Sequence, residues 1–265
     1  MSGFDRTLRT KKAVFLDLDG TVYLGERLID GAARFLSYLK QRQIAHYFLS
    51  NNSSRSKKDY VTKLSGLGIQ TKPDQIILST DGVIEFLREL QINSVYVVGT
   101  KSMKNMFREA GINPESSQPE FIILGYDTEL TYDKLREAAL FIQNNVKLIA
   151  THCDLVCPTA DGPVPDAGSM LALFKKATGK KAFRIFGKPN PEMIAHILKR
   201  HSAKPQDAVM IGDRIYTDME LANRIGCDFI LVLSGETKPN DIIGLDRKPA
   251  LIANTLGDIT VDSSV

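Results

Sequence analysis

Short runs of apolar residues recur along the chain, and most are followed by a turn signal and then by a segment whose apolar positions fall at helical spacing. The runs are 13–16, 44–49, 76–78, 94–98, 121–124, 147–150, 183–186, 208–211, 229–233 and 250–253. Their uniform apolarity reads as strands of a parallel sheet covered on both faces. Between them, 32–41 places Phe35, Leu36 and Leu39 on one helical face, and further helices are expected at 57–67, 82–90, 102–110, 132–144, 169–178, 192–201 and 219–225. Strand and helix in alternation predict an α/β fold, a three-layer Rossmann-like core with a parallel sheet. The segment 151–169 carries Pro158, Gly162, Pro163, Pro165 and Gly168 and reads as one long loop, a length that in compact domains usually serves function. Gly179 stops the helix after it, and 262–265 reads as a frayed tail.

Four of the runs end in polar residues of unusual chemistry. Ala13–Leu16 leads into Asp17 and Asp19, 44–49 into Ser50-Asn51-Asn52-Ser53-Ser54, 183–186 into Gly187-Lys188-Pro189, and 208–211 into Gly212-Asp213-Arg214 with Asp218 just beyond. Each has an ordinary explanation: Asp-Gly is a common turn, small hydroxyl residues cap helices, and a loop lysine is usually solvated. Parallel strands, however, would bring all four to one sheet edge, where α/β folds bind ligands. Several carboxylates converging there repel one another unless a cation sits among them, and oxygen ligands of this kind suit Mg²⁺. Lys188, the Ser50 hydroxyl and loop amides could then hold the oxygens of a phosphate.

Composition narrows the alternatives. The 265 residues, 43% of them hydrophobic, suffice for one large or two medium domains. A net charge of +3 from 34 basic and 31 acidic residues, spread along the chain, argues against a nucleic acid polymer as partner. No apolar run approaches the roughly 20 residues that cross a bilayer, and Met1 to Lys12 lack the apolar centre of a secretory signal. A cytoplasmic location without membrane association follows by default. Cys153, Cys157 and Cys227 have neither zinc-site nor disulfide-framework spacing. Gly99-Thr100-Lys101-Ser102 does not reproduce a P-loop.

Together, Asp17-Leu18-Asp19-Gly20-Thr21-Val22-Tyr23, Ser50-Asn51-Asn52-Ser53-Ser54-Arg55, Gly187-Lys188-Pro189 and Gly212-Asp213-Arg214-x-x-Thr217-Asp218 resemble, in order, the four motifs of haloacid-dehalogenase-superfamily phosphatases. The resemblance is nearest to the NagD-like, or p-nitrophenylphosphatase-like, subclass IIA. It implies a catalytic core over 1–81 and 181–265 and an inserted α/β cap over 82–180 that selects the substrate. It further implies a Mg²⁺-dependent phosphatase acting on a small-molecule phosphate monoester through an aspartyl-phosphate. Asp17 would be the nucleophile and Asp19 the general acid and base. Asp17, the Asp19 carbonyl and Asp213 would hold the metal with Asp218 in support, and Ser50, Asn51 and Lys188 would bind the phosphoryl group.

In the long cap segment the family's Thr-Asn-x-Asp and Pro-Gly-x-Gly are replaced by Thr151-His152-Cys153-Asp154 and Pro165-Asp166-Ala167-Gly168. His152, Asp154 and Asp166 are therefore candidates for reading the leaving group. Their competing explanation is a loop of packed or solvated polar residues. Other readings of the chain are a dehalogenase, which needs no metal, a phosphonatase, which needs a cap lysine, and a catalytically silent interaction protein on the same fold. The identity of the substrate and a homodimeric state stay open.

Overall fold

The computed structural model describes residues 7–8, 10–159 and 161–260, so the expected tail at 262–265 lies outside the described residues. The chain forms two compact units. The first comprises the described residues up to Ser50, Val61–Ile77 and those from Lys188 onward; the second comprises Asn51–Tyr60 and Leu78–Gly187. The boundary of 82–180 read from the sequence falls inside the latter stretch.

In chain order the strands are β1 (Ala13–Asp17), β2 (Tyr23–Leu24), β3 (Arg27–Leu28), β4 (Ala45–Ser50), β5 (Ile76–Leu78), β6 (Val95–Val98), β7 (Phe121–Leu124), β8 (Lys147–Ala150), β9 (Val156–Thr159), β10 (Gly162–Pro165), β11 (Arg184–Ile185), β12 (Ala208–Gly212), β13 (Asp228–Val232) and β14 (Leu251–Ala253). A six-stranded sheet in the order β14-β13-β12-β1-β4-β5 organises the first unit. Its central strand β1 runs parallel to both β4 and β12, and every residue of β1 is buried. That explains why its sequence shows no alternation: both faces are covered. Phe15, Tyr47, Met210 and Leu231 pack with Ile194 and Ile197 of the helix Glu192–Arg200 and with Leu221 of the helix Glu220–Ile225. Each such side chain contributes about 1.5–3 kcal/mol by leaving water. This anchors the strand ends that carry the polar residues.

The second unit is also α/β, built on the sheet β11-β8-β7-β6, whose strands all pair in parallel. Val98, Ile122, Leu124, Leu148 and Ala150 pack against Ala138 and Ile142 of the helix Tyr132–Gln143 and Phe174 of the helix Ala167–Thr178. Side chains start these helices where the sequence provides them. Thr100 Oγ1 accepts from the amide of Met103, Thr131 Oγ1 from Lys134 and Asp166 Oδ1 from Ala167. Gly179, at φ 73°, ends the last of them.

Two expectations are corrected. The segment 151–169 is not loop throughout, because β9 and β10 pair as an antiparallel hairpin in which Pro163 faces Pro158. Proline disfavours the interior of a wide sheet, but each strand of a two-stranded ribbon has a free edge that needs no amide donor. The run 183–186 reduces to β11, which pairs with β8 in the second unit's sheet and does not join the six-stranded one. Phe183 and Ile185 are exposed while Phe186 is buried against Phe86, with ring centroids 5.6 Å apart. This is edge-strand patterning on a run that looks uniformly apolar in sequence.

Candidate active site

Asp17 is the last residue of β1, and the chain turns immediately after it. The carbonyl of Leu18 accepts from the amides of Thr21, Val22 and Tyr23 at 2.9–3.3 Å, and Gly20 adopts φ 91°. Glycine is required there twice over. The dihedral is left-handed, and a Cβ at Gly20 would meet the Asp213 carboxylate. Asp19 follows on the same turn, half-buried, with Oδ2 accepting from the Tyr23 hydroxyl at 3.2 Å. Burial first and Asp17 second raise the Asp19 carboxyl above its ordinary range, so it favours holding a proton.

β12 delivers the second group of acids. Asp213 directly follows this strand, and its Oδ2 accepts from the Glu236 amide at 2.7 Å while Oδ1 lies 3.4 Å from the Thr21 hydroxyl. Thr237 donates its amide to the Asp213 carbonyl at 3.2 Å, and Ser234 Oγ donates to the Gly20 carbonyl at 2.7 Å. The loop after β13 is thus tied to both sides of Asp213. Gly235 permits this approach, since a Cβ there would run into the Asp213 carboxylate.

After Arg214 a π-helical turn, Ile215–Met219, aims Asp218 back at the strand end, with its Oδ2 accepting from the Arg214 amide at 3.2 Å. Gly212 leaves room for that carboxylate. Turns of this kind are frequent at functional sites.

Carboxylate oxygens of Asp17, Asp213 and Asp218 lie within 4.8 Å of one another, and all three residues are buried. Lys188, also buried, donates to Asp17 and, at 2.7 Å, to Asp218. Burial opposes the lysine's charge, but Asp17 and Asp218 outweigh it and keep the ammonium protonated far above neutral pH. Arg214, whose Nε lies 3.0 Å from Glu236 Oε2, is held charged against burial by Asp17, Asp213 and Asp218 in the same way.

Two cations leave the acids undercompensated. Burial, then Asp17 and Asp218, push Asp213 up to about 8. Burial pushes Asp218 up to about 6 against the opposing pull of Lys188. A buried, oxygen-only set that would otherwise take up a proton at neutral pH has the chemistry of a hard divalent cation site.

The other predicted residues are placed as follows. Ser50 ends β4, one step beyond Leu49, which pairs with Asp17, and it is buried. The structure thus brings Asp17, Asp213, Asp218 and Lys188 together, with Asp19 on the same turn. Asn51 belongs to the second unit, where its Nδ2 donates to both oxygens of Asp154 at 3.1 and 3.2 Å. His152, fully buried, stands between Asp154 and Asp166. Within the serine-rich cluster, Asn52 caps Ser54, and Ser53 Oγ accepts from the Tyr126 amide at 2.8 Å and from Thr151 Oγ1 at 3.0 Å. Those residues hold the loop.

Sequence reasoning missed Arg214, Tyr23 and Glu236 as participants, and the glycine of Ser234-Gly235. A fifth apolar run, 229–233, ends in that dipeptide, so the same strand-end logic reaches it.

Similarity to known proteins fits this geometry. Residues 14–113 match the model of haloacid dehalogenase-like hydrolases, and 185–259 match a second hydrolase model of the same kind. An acid sugar phosphatase of Staphylococcus saprophyticus is 31% identical over 95% of this chain and 98% of its own length. The chain belongs to the haloacid dehalogenase-like hydrolases.

The 4-nitrophenylphosphatase of Thermotoga maritima superposes with a TM-score of 0.91 at 36% identity, covering 96% of this chain and 97% of that one. A glycerol phosphate phosphatase of Mycobacterium tuberculosis in complex with magnesium superposes at 0.87 with 30% identity, covering 97% of this chain and 79% of that one. Within the family this chain is thus of the NagD-like, p-nitrophenylphosphatase-like type, a phosphoric monoester hydrolase. Among the described residues, no helix is long and apolar enough to cross a membrane.

Proposed function

We propose that this phosphatase is Mg²⁺-dependent, works through an aspartyl-phosphate on Asp17, and hydrolyses a small polar phosphate monoester. The observation that carries the reading is the cluster of Asp17, Asp213 and Asp218 carboxylates within 4.8 Å, with Lys188 bound to two of them. Asp17, the Asp19 carbonyl and Asp213 would hold Mg²⁺ with Asp218 in support, and the ion would supply positive charge to the phosphoryl oxygens.

Asp17 Oδ attacks phosphorus, and the ester oxygen leaves with the proton that Asp19 carries. The raised affinity of Asp19 for that proton suits the donor role. In the second half-reaction a water attacks the same phosphorus, Asp19 takes its proton, and inorganic phosphate departs as the Asp17 carboxylate is regenerated. Lys188, the Ser50 hydroxyl and Asn51 hold the phosphoryl oxygens throughout. The second unit chooses the leaving group, with His152, Asp154 and Asp166 the candidates to read it and Asp154 bound to the Asn51 carboxamide.

The names of the relatives make sugar phosphates and glycerol phosphate the first substrates to test. Hydrolysis of a panel of metabolite phosphates, with Mg²⁺ and with chelator, tests the metal and the substrate class. Acid-quenched single turnover of a radiolabelled ester should leave base-labile label on the peptide bearing Asp17. Absence of hydrolysis across the panel, or unchanged rates in chelator, overturns the reading.

A further inference from the structure

The loop after β13 reaches Asp213 through backbone amides, and any residue at position 236 could supply that contact. What Glu236 adds is its side chain. Oε1 accepts from the Tyr216 hydroxyl at 2.6 Å, and Oε2 forms an ion pair with Arg214 Nε at 3.0 Å. Arg214 and Tyr216 are the first and third residues past Asp213, on the stretch that runs from Asp213 to Asp218. Residue 236 is therefore fastened to the acids' own segment twice, by its amide to the Asp213 carboxylate and by its carboxylate to the residues that follow.

These side-chain contacts are poorly placed to stabilise the fold as a whole. The Arg214 side chain is 12% exposed, but that of Glu236 is 45% exposed and Tyr216 is 53% exposed. Ion pairs this open contribute little to folding. Asp213, by contrast, is buried, and its carboxylate packs against Gly20 and Gly235, where an added Cβ would collide with it. Its Oδ2 takes the Glu236 amide, so the set of this carboxylate depends on where that amide stands. On either side of residue 236 the loop is tied down by Ser234, which donates to the Gly20 carbonyl, and by Lys238 Nζ, which donates to the Gly235 carbonyl at 3.0 Å. At residue 236 itself the side-chain restraints are Arg214 and Tyr216.

We propose that Glu236 is a positioning residue for the cation site: gripped by Arg214 and Tyr216, its carboxylate keeps the 236 amide on Asp213 and so keeps the Asp213 carboxylate aimed at the ion. The proposal rests on the Mg²⁺-binding role of Asp213 given above. A carboxylate already aimed gives up little freedom when the ion binds, whereas one on a loosened loop must be ordered at that moment.

The test uses the full chain, freed of metal, with Mg²⁺ binding measured by calorimetry. Glu236→Ala should weaken Mg²⁺ binding about tenfold, the lower end of the cost of losing a residue that orients a metal ligand. Tyr216→Phe and Glu236→Gln each remove part of the grip and should weaken binding by less. Glu236→Ala combined with Tyr216→Phe should be no worse than Glu236→Ala alone. Amide hydrogen exchange of the metal-free proteins, read by NMR and corrected for intrinsic rates, supplies a measurement independent of the ion. The amide of residue 236 should exchange about tenfold faster in Glu236→Ala, the value of one hydrogen bond to a charged group. The amides of β12 and β13 should keep their wild-type protection, which a merely structural role for Glu236 would not predict.

Unchanged Mg²⁺ affinity in Glu236→Ala, additive effects in the double variant, or an equal loss of protection across β12 and β13 overturns the proposal. If wild type binds no Mg²⁺ while the 236 amide still loosens in Glu236→Ala, the metal role of Asp213 is what fails, and the proposal falls with it. Should Glu236→Ala not fold, Tyr216→Phe and Glu236→Gln carry the same comparison, and wild-type Mg²⁺ affinity in both refutes the role of the grip.

Discussion

Replacing Lys188 by methionine isolates the electrostatics of the site from its packing. The side chain is 2% exposed and its ammonium bonds Asp17 and Asp218, themselves 9% and 0% exposed. Methionine keeps most of the volume and removes the charge. Two buried carboxylates then lose their counter-ion with Asp213 still beside them, and breaking a buried ion pair from one side costs about 3–5 kcal/mol.

For a protein of this size that corresponds to a fall in melting temperature on the order of 10 °C for the first unit. The measurement is a thermal melt of wild type and Lys188→Met in chelator, repeated with Mg²⁺. Wild type should exceed the variant most in chelator, and saturating Mg²⁺ should narrow the gap, because the ion supplies the missing positive charge. Lowering the pH toward 5 should narrow it as well, since an uncompensated carboxylate can take up a proton. Asp218→Asn in the Lys188→Met background should restore part of the loss. If Lys188→Met melts within about 2 °C of wild type in chelator at pH 8, far below the cost expected of a broken buried pair, the acids are not the electrostatic liability argued above.

Other outcomes follow from the same geometry. Asp17→Asn should fold normally and lose turnover by a factor on the order of 10⁴ or more, measured with p-nitrophenyl phosphate; substantial residual activity would exclude Asp17 as nucleophile. Asp213 is raised to about 8 and Asp218 to about 6 from 3.8. The metal-free fold therefore prefers these acids protonated and loses stability as pH climbs from about 4 through 8. Mg²⁺ must displace those protons, so its affinity by calorimetry should strengthen over pH 6–8; a pH-independent affinity would contradict this. Gly235→Ala should push against Asp213, cost about 1–3 kcal/mol by overpacking, and weaken Mg²⁺ binding about tenfold or more.

Periodicity made most of the fold legible because strands buried on both faces show as unbroken apolar runs. β1, β4 and β12 announce themselves this way, and their ends carry Asp17, Ser50 and Asp213. The same signal failed at 183–186. An edge strand of four residues can expose Phe183 and Ile185 and still read as apolar, and nothing local says which sheet it joins. Lys188 nevertheless lies beside the acids, bonded to Asp17 and Asp218. The inference rested on its place at a strand end as well as on its charge, and the strand it follows belongs to the other sheet, so only the charge argument carries over. The hairpin of β9 and β10 stayed hidden for a different reason: its prolines count against a strand in a wide sheet and not in a ribbon.

What sequence could not supply was the pairing of charges across long separations. Asp213 is held by Glu236 and Thr237 through backbone amides, a donor type every residue possesses, so no residue preference marks those positions. Only Gly235 betrays the contact, because the approach there excludes a side chain. His152 is the opposite case. Its identity departs from the family pattern in full view, yet its chemistry depends on Asp166, fourteen residues on, reaching its far side across the hairpin. A histidine two residues from one aspartate reads as a solvated loop group. The same ring is fully buried with one acid near each nitrogen, and only the fold, which brings Asp166 to the side opposite Asp154, turns a loop histidine into an interior one.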